Sequence, residues 1–355
     1  MKGLKNKKIA VAMSGGVDSS VVACLLKQEG YDIAGFTMVQ YDDEEFGYSP
    51  EEGSLAASND AQKICRQLDI KHIVINVKDQ FRRIVLNDFV NQYKRGYTPN
   101  PCTLCNPTIK WGAFFDKIQE YGFEYFATGH YVKLVQGQDR PHIYRADNSK
   151  DQTYMLWRVR KEQLEKTIFP LYNLDKEQVR KIAGENNLHV AEKKDSQEIC
   201  FIKDHYLDFV NKIVPAKPGK IKLLSGEVIG EHQGLTAYTI GQRKGLHTKL
   251  NVTLYVHSMD ITKNILYATA DREDLKVASF RINELHFLET DPHLIKKSLV
   301  QIRYNSHPVQ VRDFILEGKE ALVILEEAIE SVTPGQSAVF YSEEEELLGG
   351  GVIVK

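Results

Sequence analysis

Three groups of residues in this chain of 355 have types and spacing suited to chemistry. The first is Ser14-Gly15-Gly16-Val17-Asp18-Ser19-Ser20. It follows the apolar run Lys8–Met13 and opens a helical pattern, Asp18–Gly30, with Val21, Val22, Leu25 and Leu26 on one face. Glycines allow a tight turn there, and bare backbone N–H groups then face an anion at a helix N-terminus. Ser14, Ser19 and Ser20 can add hydroxyl donors. Neither the Walker spacing nor the dinucleotide fingerprint is present. A glycine turn with an ordinary cap is the plain alternative, but order, spacing and placement together favour a phosphate site. The second group is Asn100-Pro101-Cys102-Thr103-Leu104-Cys105-Asn106, whose Cys-x-x-Cys spacing points to metal, cluster or redox chemistry. There is no second close pair, which argues against a four-cysteine zinc knuckle. The third is Cys200, in Lys193-Lys194-Asp195-Ser196-Gln197-Glu198-Ile199-Cys200-Phe201. Two lysines there could favour a thiolate, and burial beside Ile199 and Phe201 is the other reading. Cys24 and Cys65 fall inside helical patterns and read as core residues.

These groups need elements to position them. Up to residue 135 the chain alternates apolar runs with helical patterns. Lys8–Met13, Ile33–Val39, His72–Val77 and Tyr125–Gly129 read as strands. Asp18–Gly30, Ser58–Leu68 (with Ser58 as N-cap), Phe81–Gly96 and Lys110–Tyr121 read as helices. That rhythm predicts an α/β fold, a doubly wound parallel sheet covered on both faces. Residues 161–200 look helical and polar, clearest over Asp175–Gly184. Pro215, Pro218 and Gly219 mark a change of texture. Short β-rich runs follow, including Leu254–His257, Ile265–Thr269, Leu299–Tyr304, Ala321–Leu325 and Ala338–Tyr341, and they predict small β-barrels.

Composition narrows the class. Hydrophobic residues at 42% and charged residues at 26% predict a packed, soluble chain. Five cysteines, an odd number, argue against a secreted disulfide framework. No stretch suits a signal segment or a membrane span, so a cytoplasmic protein is expected. The net charge of −2 hides two acidic blocks, 41–60 and 326–346, each with seven acids and no bases. The remainder is basic, notably over 71–110 and 211–250. Near-neutrality is therefore compatible with a nucleic-acid partner, with the acidic blocks expected to face away from it.

The loop resembles the pyrophosphate loop of the ATP-pyrophosphatase superfamily, whose members adenylate a carbonyl oxygen and release pyrophosphate. Further motifs narrow the resemblance. They are Asn100–Asn106 with Ile109-Lys110; Ala127-Thr128-Gly129-His130-Tyr131; Lys150-Asp151-Gln152-Thr153-Tyr154; and Asp195–Phe201. Gly234-Leu235, Tyr238–Leu246, Gln301-Ile302-Arg303-Tyr304, Val332–Gln336 and Leu348–Gly351 continue the series. Across nearly its whole length the chain resembles the tRNA-specific 2-thiouridylases.

That resemblance implies an N-terminal ATP-binding catalytic domain over 1–205, with a helical tRNA-contacting segment at 161–205. A small β-rich central domain over 206–272 and a tRNA-binding C-terminal β-barrel over 273–355 would follow. It implies replacement of the C2 oxygen of the wobble uridine, position 34, by sulfur. ATP, with Mg2+, would bind through Ala12, Met13, Ser14, Gly15, Gly16, Val17, Asp18 and Ser19, and through Met38 and Gly129. The sulfur would ride as a persulfide on Cys200, and Cys105 would release the product and leave a Cys105–Cys200 disulfide. Asn100, Pro101 and Cys102 would meet the flipped target base. His130, Lys150, Asp151, Gln152, Arg303, Tyr304 and Gln336 would meet the tRNA. A cysteine desulfurase or a sulfur-relay protein is the implied donor, and a monomer is expected. One departure stands out. Relatives often carry Asp at position 102, where this chain has Cys, so an acid–base role there does not carry over. The change makes a second route conceivable, a [4Fe–4S] cluster on Cys102, Cys105 and Cys200. A small-molecule amide ligase of the same superfamily, and a non-enzymatic iron–sulfur or RNA-binding protein, remain as alternatives. The ligase would leave Cys105, Cys200 and the β-rich third unexplained.

Overall fold

The apolar runs of the first third form a parallel sheet in a computed structural model that describes residues 4–49, 51–194, 199–202, 206–288 and 292–355. Its strands are β1 (Lys8–Ala12), β2 (Asp32–Val39), β3 (Lys71–Asn76) and β4 (Tyr125–Ala127), then, past the hairpin β5 (Lys133–Gln136) and β6 (Pro141–Tyr144), the short β7 (Thr167–Ile168). The order is β3-β2-β1-β4-β7, and every neighbouring pair is parallel. Ile9 lies opposite both Ile33 and Tyr125, and Ala12 lies opposite Phe36. Ile9, Ala10 and Val11 are wholly buried, as a central strand covered on both faces requires. Helix α1 (Val17–Gln28) buries Val21, Val22 and Leu26, and the chain turns out of it at Gly30 with φ +80°.

Helix α2 (Gly53–Gln67) starts five residues before the expected Ser58, which is therefore interior to the helix and not its cap. The reason lies outside the local sequence. The Asp43 carboxylate accepts from the Ser54 and Leu55 amides at 2.8 and 2.9 Å and from the Ser54 hydroxyl at 2.8 Å. Residues 161–194 are less helical than their polarity suggests, with helices only at Lys161–Leu164 and Lys176–Glu185. The second carries a capping box between Asp175 and Gln178. Within the Asp195–Phe201 motif, 195–198 lie outside the described residues.

The chain divides into two compact units. One comprises residues 1–85, 102–203 and 344–347 and contains the parallel sheet. The other comprises 86–101, 204–343 and 348–355. It holds a four-stranded sheet of β8 (Gly219–Leu223), β9 (Val228–His232), β10 (Tyr255–Asp260) and β11 (Ile265–Thr269), in the order β10-β11-β8-β9. Ile221, Ile229, Val256 and Leu266 form its core. The last six strands are β12 (Lys276–Phe287), β13 (Leu299–Gln301), β14 (Val309–Glu317), β15 (Glu320–Glu330), β16 (Ser337–Tyr341) and β17 (Leu347–Val354). They close into a barrel ordered β12-β15-β14-β13-β16-β17 around Ile282, Val300, Val323, Phe340 and Ile353. Closure leaves no strand edge unpaired. The expected fold class is therefore present: a parallel α/β sheet, a small β-rich domain and a C-terminal barrel. No helix among the described residues is long and apolar enough to cross a membrane.

Candidate active site

The nucleotide loop sits at the carboxyl end of the parallel sheet, where open α/β folds bind ligands. Gly15 has φ +69°, and a Cβ there would come within 2.3 Å of the Ala57 carbonyl oxygen, so only glycine fits. Gly16 is the N-cap of α1, and no side chain caps the helix, which leaves its first amides for a ligand. Ser19 and Ser20 are buried and donate to the Gly16 carbonyl at 3.2 and 2.8 Å, while Ser14 is exposed. Two of the three expected hydroxyl donors thus brace the loop itself. Ala12 ends β1, Met13 and Val17 are buried beneath the turn, and half-buried Met38 pairs with Ile75 one residue before the end of β2. Gly129 follows β4 and closes over the helix start. A Cβ on it would lie 3.0 Å from the Asp18 Cβ and 3.1 Å from the Ser19 nitrogen.

Cations that local motif reading did not assign to the loop flank it. Lys176 Nζ lies 2.8 and 2.9 Å from the two carboxylate oxygens of Asp18, and the Tyr131 hydroxyl donates to one of them at 2.7 Å. Lys193 Nζ donates to the Gly15 carbonyl at 2.9 Å and to Asp60 at 2.8 Å. Burial opposes ionisation of Asp60, but hydrogen bonds from Lys193 and His189 outweigh it and hold the carboxyl below its usual range. Lys193 therefore serves the nucleotide loop, and the expectation that it favours a Cys200 thiolate is corrected.

The cation that does act on sulfur is Lys110. Its charge favours the ionised form of Cys102, Cys105 and Cys200 alike, against desolvation, which pushes all three thiols up and Cys200 to about 12. Lys110 rides on a wide, π-type turn, Asn106–Phe114, which contains Pro107 and breaks at Gly112 (ψ −111°). The buried Gln163 amide donates to the Trp111 carbonyl at 2.6 Å, covering a group that the irregular turn would leave bare. Lys110 Nζ is 3.4 Å from His130 Nε2, and His130 Nδ1 is 2.8 Å from the Thr128 hydroxyl. Burial, and then the Lys110 charge, hold His130 well below the usual histidine range. The imidazole is neutral, with Nε2 accepting from the ammonium and Nδ1 donating to Thr128.

Cys105 is buried, Cys102 half-buried and Cys200 exposed, and none of the three is in a disulfide. Gln40 Nε2 donates to Cys200 Sγ at 2.9 Å. The Tyr41 and Tyr48 hydroxyls donate to the Cys200 carbonyl at 2.6 and 3.2 Å. Phe201 is buried against Phe81, with ring centroids 5.5 Å apart. Phe201 is thus the buried residue of the pair, whereas Cys200 is exposed as a residue although its sulfur is desolvated. The contacts of Tyr41 and Tyr48 place the start of the first acidic block beside Cys200. Among the described residues, no three Cys, His, Asp or Glu side chains gather closely enough to hold a metal ion. Cys102, Cys105 and Cys200 as arranged do not fit a [4Fe–4S] cluster.

The residues expected at RNA divide into anchored and exposed groups. Asp151 accepts from the Ala146 amide at 3.0 Å and the Thr153 hydroxyl at 2.7 Å. Gln152 accepts from the Tyr131 amide at 3.1 Å, so it supports the tyrosine that holds Asp18. Lys150 is exposed. In the second unit, Gln336 Nε2 donates to the Thr98 carbonyl at 2.7 Å, two residues before half-buried Asn100 and the buried Pro101. Arg303 donates to the Ile240 and Ser331 carbonyls, both at 2.9 Å, and to the Thr333 hydroxyl. Tyr304 is half-buried, and its carbonyl accepts from Gln301 at 2.7 Å. Gln242 folds back on its own turn, accepting from the Thr239 amide and donating to the Lys244 carbonyl.

A bare-amide glycine loop between β1 and α1, with Cys200 held by residues that follow the neighbouring β2 and two β-rich domains downstream, defines an ATP-binding pyrophosphate-loop protein of α/β type. Residues 7–204 match the family described as tRNA methyl transferase HUP domain. Residues 207–270 match the tRNA methyl transferase PRC-barrel domain, and 277–353 match the aminomethyltransferase beta-barrel domain. The chain is 40% identical to the tRNA-specific 2-thiouridylase MnmA of Streptococcus agalactiae serotype Ia, over 98% of this chain and 95% of the relative. It is also 40% identical to the MnmA of Trichlorobacter lovleyi, over 98% and 97%. The chain belongs to the tRNA-specific 2-thiouridylase family.

Proposed function

We propose that this chain is an ATP-dependent tRNA-uridine 2-sulfurtransferase that converts the wobble uridine at position 34 into 2-thiouridine. The observation that carries the reading is the placement of two chemistries on adjacent strands of one sheet. The nucleotide loop follows β1, and the residues holding Cys200 follow β2. An amide-like carbonyl is a poor electrophile, and oxide is a poor leaving group. In the reading, the C2 oxygen attacks the α-phosphorus of ATP and pyrophosphate departs, so that AMP becomes the later leaving group. Developing charge on the phosphates falls among the α1 amides and the cations Lys176 and Lys193. Mg2+ is expected to accompany the nucleotide.

The terminal sulfur of a Cys200 persulfide then attacks C2. Cys105 attacks Cys200 Sγ, the sulfur–sulfur bond to the substrate breaks with its electron pair moving to the transferred sulfur, and AMP leaves. A Cys105–Cys200 disulfide results, which an external dithiol reduces. In this reading the persulfide ionises more readily than the bare Cys200 thiol, which desolvation pushes up. Asn100, Pro101 and Cys102 meet the flipped base in this reading, with Lys150 and Tyr304 on the RNA path. The sulfur comes from a desulfurase or relay protein, and the enzyme works in the cytoplasm.

The discriminating experiment is isotope exchange between ATP and pyrophosphate with and without tRNA. Exchange that requires tRNA supports this reading. Exchange driven by a small carbonyl compound and ammonia in its absence would make the chain an amide ligase.

A further inference from the structure

Two features of the sulfur site have no part in the mechanism above. One is a neutral amide donor aimed at the Cys200 sulfur, and the other is a pair of hydroxyls on the same residue's carbonyl. Gln40 Nε2 lies 2.9 Å from Sγ. Tyr41 and Tyr48 hold the carbonyl at 2.6 and 3.2 Å. The sulfur is thus located twice, through its own side chain and through its backbone. Tyr41 is itself packed among Phe46, Tyr48 and Phe81, with centroids 5.1, 5.8 and 6.3 Å away. That packing fixes the hydroxyl that Cys200 meets.

Gln40 stands directly after β2, whose last residue, Val39, has its carbonyl tied to the Val77 amide at 2.9 Å. The same strand is tied to the nucleotide loop, because the Met13 amide donates to Phe36 at 2.8 Å and the Thr37 hydroxyl donates to Met13 at 3.0 Å. A donor on this strand therefore sets the sulfur against the loop where ATP reacts, through rigid sheet and not through the chain around Cys200. The chemistry suits a glutamine. An amide N–H stabilises and aims electron-rich sulfur, and being uncharged it does not trap a thiolate as an ion pair.

We propose that Gln40 is the positioning residue of sulfur transfer, aiming the sulfur carried on Cys200 at the activated carbonyl. The assignment rests on the reading that Cys200 carries the transferable sulfur. Gln40→Met keeps the length and removes the donor, and Gln40→Glu keeps the shape and turns the donor into an anion. Both are measured in the full-length protein with tRNA, ATP, Mg2+ and a small persulfide donor.

The expected result separates the half-reactions. Tyrosine-anchored Cys200 still takes up one sulfur by intact mass, and tRNA-dependent ATP–pyrophosphate exchange keeps its rate and its KM for ATP and tRNA. Single-turnover sulfur transfer falls about tenfold in Gln40→Met, the loss of one hydrogen bond, and further in Gln40→Glu. A purely structural role would lower exchange and thermal midpoint together with transfer, and that pattern in both variants overturns the proposal. So does Gln40→Met transferring at the wild-type rate from a loaded Cys200. A wild-type Cys200 that never takes up sulfur overturns the underlying persulfide reading, and this assignment with it.

Discussion

Lys176 grips Asp18 through both carboxylate oxygens, at 2.8 and 2.9 Å, with Lys176 largely buried. The acid of the nucleotide loop is therefore already neutralised from a helix more than a hundred residues downstream. Phosphates entering the loop meet that cation at the same place. Lys176→Met is expected to raise the KM for ATP about tenfold while leaving tRNA affinity unchanged, a loss of about 1.4 kcal/mol. Calorimetric titration with ATP, and separately with tRNA, checks it. Asp18→Ala is expected to abolish thiolation.

Gly129 offers a second handle on the same site. Ala at this position would place a methyl 3.1 Å from the Ser19 nitrogen, over the amides that face a phosphate. The neighbouring backbone must shift, and ATP binding is expected to weaken by about tenfold or more, by the loss of one or two amide contacts. Circular dichroism and thermal midpoint should change little, because Gly129 is only half-buried at the end of its strand.

His130 predicts a pH dependence of stability. Its folded value lies well below 6.5, its unfolded value. Above that unfolded value both states are neutral, and the favourable contribution is complete. As the pH falls below it, the unfolded chain takes up a proton that the folded chain refuses, and stability drops. The slope is up to about 1.4 kcal/mol per pH unit for one group. His72 and His232, also lowered by burial, act in the same direction. Denaturant unfolding between pH 7 and pH 5 should show a shallower slope in His130→Gln than in the parent, by about one proton.

Lys110 predicts thiol reactivity. In the free protein the Cys200 thiol, at about 12, is protonated at neutral pH, yet it is the exposed one of the five. Iodoacetamide should label Cys200 first and slowly, with the rate rising steeply with pH, while Cys24 and Cys65 stay unlabelled in the folded protein. Lys110→Met removes the cation that favours the three thiolates. Labelling of Cys200 at a fixed pH should slow several-fold, as read by peptide mass spectrometry.

The parallel sheet, the glycine loop and the β-rich texture of the downstream domains were legible because they depend on local pattern. Continuous apolar runs mark β1 and β2, and the Gly15 turn sits between a strand and a helix. The partners of the cations were not legible, because Lys176 and Lys193 reach the loop only through the tertiary fold; nothing adjacent in sequence sets Lys176 apart from a solvated lysine, and the position of Lys193 near Cys200 in sequence pointed to the wrong partner. The same holds for Gln40, Tyr41 and Tyr48. Their stretch reads as the approach to an acidic block, whereas packing of Phe201 against Phe81 brings the Cys200 backbone to it. Arg303 illustrates the converse. Its type suits phosphate, but the fold gives its guanidinium to the Ile240 and Ser331 carbonyls, where it braces a turn. Helix α2 began early for a similar reason, capped by Asp43 from a neighbouring loop.

The central claim is that ATP and sulfur chemistry converge on one tRNA base. The most direct measurement is mass spectrometry of nucleosides from tRNA incubated with the protein, ATP, Mg2+ and a persulfide donor. The account predicts 2-thiouridine at the wobble position, one AMP and one pyrophosphate for each sulfur, and no product from Cys105→Ser or Cys200→Ser. Unmodified uridine despite tRNA-dependent AMP formation, or full thiolation by Cys200→Ser, would contradict it.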